Sequence, residues 1–204
     1  DPQSSGTIRG RVVWDGEAPA RQEIVVHPTS LKPTLQRTLV RTPMPHLPEV
    51  DAYSGAVKNA VVFLRRVDLA RSKPWDHAPV KVEFGERRLR VRQGSVEGEV
   101  GFVQRGAAIE GSNVDVDYHA MRGRGAAFFA LPLVPNAASV RRALPQTGVV
   151  DLSCAAGCFW MHAYLIVTDH PYITRTSADG TFRLGDVPDG EYDVACWMPN
   201  WNVT

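Results

Sequence analysis

Residues 7–14 (Thr-Ile-Arg-Gly-Arg-Val-Val-Trp) alternate between apolar and polar side chains and are rich in β-formers, which predicts a strand ending at an Asp15-Gly16 turn. The same reading predicts a strand over 57–67 and two more over 80–84 and 88–92, joined by a Gly85-Glu86 turn. Short strands follow over 100–103, 108–112, 118–121 and 125–133. Strands over 148–153 and 161–168 flank a cysteine-bearing loop, and strands over 172–176, 180–184 and 192–197 come after it. Residues 136–144 (Asn-Ala-Ala-Ser-Val-Arg-Arg-Ala-Leu) form the best helix candidate, barely two turns long. Many short strands separated by turn signals predict an all-β sandwich or barrel. The stretch 27–50 holds Pro28, Pro33, Pro43, Pro45 and Pro48 and has few periodic apolar positions. Proline removes the donors that helix and sheet need, so this stretch is expected to run extended, as a loop or wrapped over a partner.

Composition agrees with a turn-rich β protein, with 17 glycines and 15 prolines in 204 residues. A formal net charge of +1 argues against a nucleic-acid binder, for which a concentrated basic face is expected. No run approaches the ~20 apolar residues of a membrane-spanning helix. The opening Asp1-Pro2-Gln3-Ser4-Ser5-Gly6 lacks the basic and apolar regions of a signal peptide. An exported chain would begin this way after processing, so a periplasmic or otherwise extracytoplasmic location is expected. No Gly-x-Ser-x-Gly elbow, His-Glu-x-x-His motif or phosphate-cradling loop is present, and no enzymatic activity is expected.

Three cysteines cannot all pair within one chain, which raises metal binding or a free thiol. Cys196, in an apolar run, is expected in the core. Cys154 and Cys158 are different, because Met161 and His162 follow at once. Thiolate, thioether and imidazole together select copper, since soft sulfur suits Cu(I) and imidazole also accepts Cu(II). A further imidazole is available at His119, and strand alternation puts Met121 on its face while placing adjacent Met161 and His162 on opposite faces. Zinc on Cys154, Cys158, His162 and His119 is chemically acceptable, but the spacing is not that of a zinc finger. Asp115 and Asp117, near His119, are expected to support it or face solvent. His27, His46 and His77 are expected to be solvated, and His170 to be a hydrogen-bonding turn residue.

Two resemblances follow from these motifs. The run Asp179-Gly180-Thr181-Phe182, then Pro188-Asp189-Gly190-Glu191-Tyr192, resembles the closing hairpin of carboxypeptidase regulatory-like (transthyretin-like) β-sandwiches. Residues 6–13 match the opening strand of that pattern and 57–64 the next. The resemblance implies a β-sandwich and no activity.

The run Gly106 … Ile109 … Asn113-Val114-Asp115 … His119 resembles the cupredoxin strand that leads to a first histidine ligand, with Ile109 at the usual valine position. Cys154-x3-Cys158-x3-His162 is similar to the loop of the binuclear CuA variant, in which two thiolates bridge two coppers. That loop places a methionine three residues after its histidine, where Leu165 stands here, so the thioether would come from Met161 or Met121.

The resemblances imply a transthyretin-like sandwich over 1–78 and 169–204 that embraces a cupredoxin-like unit over 79–168. They imply metal ligands at His119, Cys154, Cys158, His162, Met121 and Met161, holding one or two copper ions for electron transfer to a redox partner or within a larger membrane or envelope complex. The alternative is a metal-free β-sandwich accessory subunit docked on such a complex through the Pro-rich segment.

Overall fold

The computed structural model describes residues 5–20, 23–26, 40–43 and 47–199. Most of the Pro-rich segment lies outside the described residues, together with His27, His46 and Trp201. The strands are β1 (Ser5–Arg11), β2 (Glu23–Val26), β3 (Val40–Pro43), β4 (Glu49–Val50), β5 (Val57–Lys58) and β6 (Val61–Arg65). Next come β7 (Val80–Gly85), β8 (Arg88–Gln93), β9 (Val96–Gly98), β10 (Val100–Gln104), β11 (Ala108–Asn113), β12 (His119–Gly125) and β13 (Phe129–Leu133). The last are β14 (Val140–Ala143), β15 (Gly148–Cys154), β16 (His162–Thr168), β17 (Ile173–Arg175), β18 (Thr181–Pro188) and β19 (Asp193–Trp197). The described chain is all-β: apart from one 3-10 turn at Leu69–Arg71 it contains no helix. No helix among the described residues is long and apolar enough to cross a membrane.

Two compact units result, one of Asp1–Arg21, His46–Trp75 and His170–Thr204, the other of Gln22–Pro45 and Asp76–Asp169. The β2–β3 hairpin therefore falls in the second unit, although the sequence pattern assigns all of 1–78 to the first.

In the first unit β1 pairs antiparallel with β18, and β6 lies between β17 and β19. The expected 57–67 strand is broken in two, because Asn59 adopts a left-handed φ of 60°. Buried Thr176 repairs the break: its hydroxyl accepts from Ala60 N–H at 3.0 Å and donates to the Val57 carbonyl at 2.6 Å. The Asp179-Gly180 turn is equally constrained. Asp179 Oδ1 accepts from Ser177 and Thr181, while a Cβ at Gly180 would stand 2.5 Å from the Val12 carbonyl.

The second unit is a sandwich of two five-stranded sheets, ordered β14-β11-β7-β8-β9 and β10-β16-β15-β12-β13. Pairing is parallel only at β11–β7 and β10–β16. One core joins the sheets: Val82, Phe84, Val91 and Ile109 from the first meet Met121, Leu152, Ala163 and Leu165 from the second. Period-two alternation produces this arrangement, since every second residue of β15 and β16 faces inward.

Two local expectations are corrected here. Residues 136–144 are not helical, because Val140–Ala143 pairs with β11 and Leu144 is fully buried. A two-turn helix is marginal alone, and an available sheet edge outweighs it. The β7–β8 turn is formed by Glu86 and Arg87 rather than Gly85 and Glu86, and both take positive φ, of 50° and 59°. That is the pattern of a two-residue hairpin turn whose twist matches its strands.

Candidate metal centre

Asn113, at the end of β11, organises the loop that delivers the histidine. Its buried side-chain amide donates to the Asp117 carbonyl at 2.8 Å and the Leu133 carbonyl at 2.9 Å, and its Oδ1 accepts from Asp115 N–H at 3.0 Å. The loop then turns Asp115 back on the first residue of β12, where Asp115 Oδ2 lies 3.0 Å from His119 Nε2. Phe84 of β7 stacks on the His119 ring, with centroids 4.7 Å apart and planes 17° from parallel. Imidazole plane and tilt are thus fixed from two different directions.

His119 Nδ1 faces the sulfur of Cys154 at 3.5 Å. Cys154 ends β15 on the core-facing side, opposite Met121 in the β12–β15 register. The chain then turns at Gly157, whose φ of 92° suits glycine, and brings Cys158 back into the same pocket. The ligand atoms of His119 and the two cysteines lie within 4.8 Å of one another, and all three residues are at most 5% exposed. Trp160 packs over the core beside them, its indole N–H donating to the Arg87 carbonyl at 3.2 Å.

The electrostatics are those of an ion pair. A hydrogen bond from Cys158 is the largest influence on Cys154; together with those from His119 and nearby backbone N–H groups it overcomes burial and lowers the thiol to about 4. Burial opposes charge on His119, but hydrogen bonds to Asp115 and Cys154 raise it to about 9. Burial also works to raise Asp115, yet the hydrogen bond and charge of His119 hold it below the ordinary carboxylate range.

These donors fit a soft metal. With Asp115 occupying Nε2–H, the lone pair of a neutral His119 is on Nδ1, the atom that faces Cys154 Sγ. A carboxylate on the remote nitrogen is the usual way a ligating imidazole is oriented and made more basic.

The remaining candidates are placed differently. Met161 is 2% exposed and belongs to the same core cluster as both cysteines. Met121 is fully buried, and its methyl lies against Gly111 of the facing sheet. His162 is not brought to the pocket. It pairs with Ser153 in the β15–β16 register, on the face opposite Cys154, where its Nδ1 lies 3.2 Å from Asp151 Oδ1. His77 lies edge-on to Phe102 and close to Asp76. Phe84, the Glu86-Arg87 turn and the Arg87 N–H that reaches Asp115 at 3.4 Å had no chemical signature in the sequence. Only the strand pattern around them was readable.

No protein-family model matches the chain, and no curated protein matches it. Among solved structures the chain is similar to a purple cupredoxin from Nitrosopumilus maritimus, at 15% identity and a TM-score of 0.34, over 45% of this chain and 99% of that one. It is similar to oxidised plastocyanin from Dryopteris crassirhizoma, at 18% identity and a TM-score of 0.35, over 43% of this chain and 99% of that one. It is also similar to an oxidised point mutant of amicyanin, at 11% identity and a TM-score of 0.35, over 52% of this chain and 99% of that one.

Proposed function

We propose that this chain is a copper-binding electron-transfer protein whose metal is held by His119, Cys154 and Cys158. The observation that carries the reading is the convergence of one imidazole nitrogen and two sulfurs within 4.8 Å in a buried pocket, with His119 Nδ1 aimed at Cys154 Sγ. Copper bound there would supply a one-electron Cu(I)/Cu(II) couple. The protein's own part is to hold the donors still. Asp115 and Phe84 fix the imidazole, β15 anchors Cys154, and the core behind the cysteines keeps water away. Donors that need not move between oxidation states lower the reorganisation that opposes electron transfer.

The remaining parts of the reading follow from this one. The chain works outside the cytoplasm, passes electrons to a protein partner and turns over no substrate of its own. The first unit serves as a transthyretin-like scaffold, as the Asp179-Gly180 and Pro188-Gly190-Tyr192 motifs suggest.

The test is anaerobic titration with Cu(I), with metal content read by elemental analysis. Stoichiometric uptake that is lost in Cys154→Ser, Cys158→Ser and His119→Ala supports the reading. A folded protein that takes up no copper overturns it.

A further inference from the structure

Two ions or one, and which side chain completes the shell, are questions the position of His162 bears on. Resting on the copper reading above, we infer that the pocket takes a single soft ion through three sulfurs and one imidazole: Cys154, Cys158, Met161 and His119. His162 is left out.

A pair of metals bridged by two thiolates needs an imidazole for each metal. Among the described residues of this unit only His119 reaches the cysteines. His162 is kept away by the sheet. Its strand pairs residue by residue with β15, so Ala163, Leu165 and Val167 face the core while His162 and Tyr164 face away. Moving His162 inward by a one-residue slip would carry all three core residues outward and drive Tyr164 into the core. Leu165 and Val167 are both buried in the core, and exposing them costs more than one added metal–nitrogen bond readily offsets across a whole strand.

Met161 is placed by the opposite logic. Its N–H donates to the Cys158 carbonyl at 3.0 Å, closing a four-residue turn with Phe159 and Trp160 at the corners. The ends of such a turn lie within ~7 Å of each other. Both Cys158 and Met161 then enter the buried cluster that also holds Cys154, while Phe159 remains 59% exposed. Met121 is a poorer donor, since its methyl is directed at Gly111 across the core. Two thiolates and an imidazole would also suit Zn(II), so it is the thioether of Met161 that tips the set toward Cu(I).

The experiment titrates Cu(I) into the reduced chain under anaerobic conditions against a chromophoric Cu(I) chelator, and records copper X-ray absorption fine structure on the product. One ion per chain is expected, with about three sulfurs and one nitrogen around it. Met161→Leu nearly conserves volume and should fold. It should remove one sulfur from the shell and weaken Cu(I) on the order of tenfold. His162→Ala should change neither stoichiometry nor affinity. Two ions per chain, falling to one in His162→Ala, would overturn this inference and leave the copper reading standing. A Met161→Leu protein with an unchanged shell would also overturn it. Failure of the unaltered chain to bind Cu(I) would instead remove the copper reading itself.

Discussion

Asp115 Oδ2 and His119 Nε2 are 3.0 Å apart, four residues from each other in sequence and joined by a loop whose shape Asn113 dictates. The carboxylate leaves the imidazole one orientation and one free nitrogen, the one facing Cys154. Asp115→Asn should therefore weaken copper binding about 10–100-fold, the usual range when the partner of a ligating histidine is removed. Competition titration against a Cu(I) chelator measures it. Equal affinities in the two proteins would mean that Phe84 alone suffices to orient the ring.

Asn113 is a structural counterpart to that pair. It is 2% exposed and satisfies two carbonyls and one N–H that lie in or beside the ligand-bearing loop. Asn113→Ala leaves those groups without their partner and should lower stability by at least about 2 kcal/mol. Urea unfolding of the metal-free protein reads this directly, and a loss below ~0.5 kcal/mol would show that the loop closes by other means.

The fold class and the His119, Cys154 and Cys158 cluster could both be read from the sequence, because each rests on a local pattern. Alternation around Val80, Arg88 and Gly148 marks strands, and the run Asn113-Val114-Asp115 … His119 resembles a cupredoxin strand that leads to a histidine ligand. The place of His162 depended on something spacing does not carry: which face of β16 begins inward. Ligand spacing counts residues along the chain, whereas the sheet register decides direction, and the Ser153–His162 pairing turned the imidazole away. Adjacent Met161 and His162 could not share a face, and that much was visible from alternation alone. The helix expected over 136–144 failed for a related reason, since its fate was settled by β11, whose residues 108–111 pair with 140–143 from far upstream. Phe84 and Arg87 reach the site only through tertiary contacts, so no local pattern announced them.

Met121 separates packing from ligation. It stands opposite Cys154 in the β12–β15 register, but its methyl fills space beside Gly111 and Leu133. Met121→Ala should destabilise the protein by about 2–5 kcal/mol through the cavity it leaves, while Met121→Leu should cost under about 1.5 kcal/mol. Copper affinity of the leucine variant should match that of the unaltered chain. A drop comparable to that of Met161→Leu would move the thioether ligand from the loop to β12.

Tyr164 gives the sandwich a weakness at high pH. It is 6% exposed and sits opposite Asp151 in the β15–β16 register. Burial first, and then the negative charges of Asp151 and Glu99, hold its phenol well above the ordinary value of 10.0. Below pH 10 the group is neutral in both folded and unfolded chains, so its contribution to stability is fully present there. As pH rises past 10 the unfolded chain gives up the proton and the folded one keeps it. The unfolded state then binds fewer protons, and stability falls with pH until the folded phenol itself ionises. One such group adds a slope of up to about 1.4 kcal/mol per pH unit. Urea unfolding of the metal-free protein between pH 8 and 11 should show this decline, and Tyr164→Phe should lack it whatever constant offset the lost hydroxyl introduces. Parallel slopes in the two proteins above pH 10 would mean that the folded sheet admits the phenolate, and that the face carrying Asp151, His162 and Tyr164 is open to water.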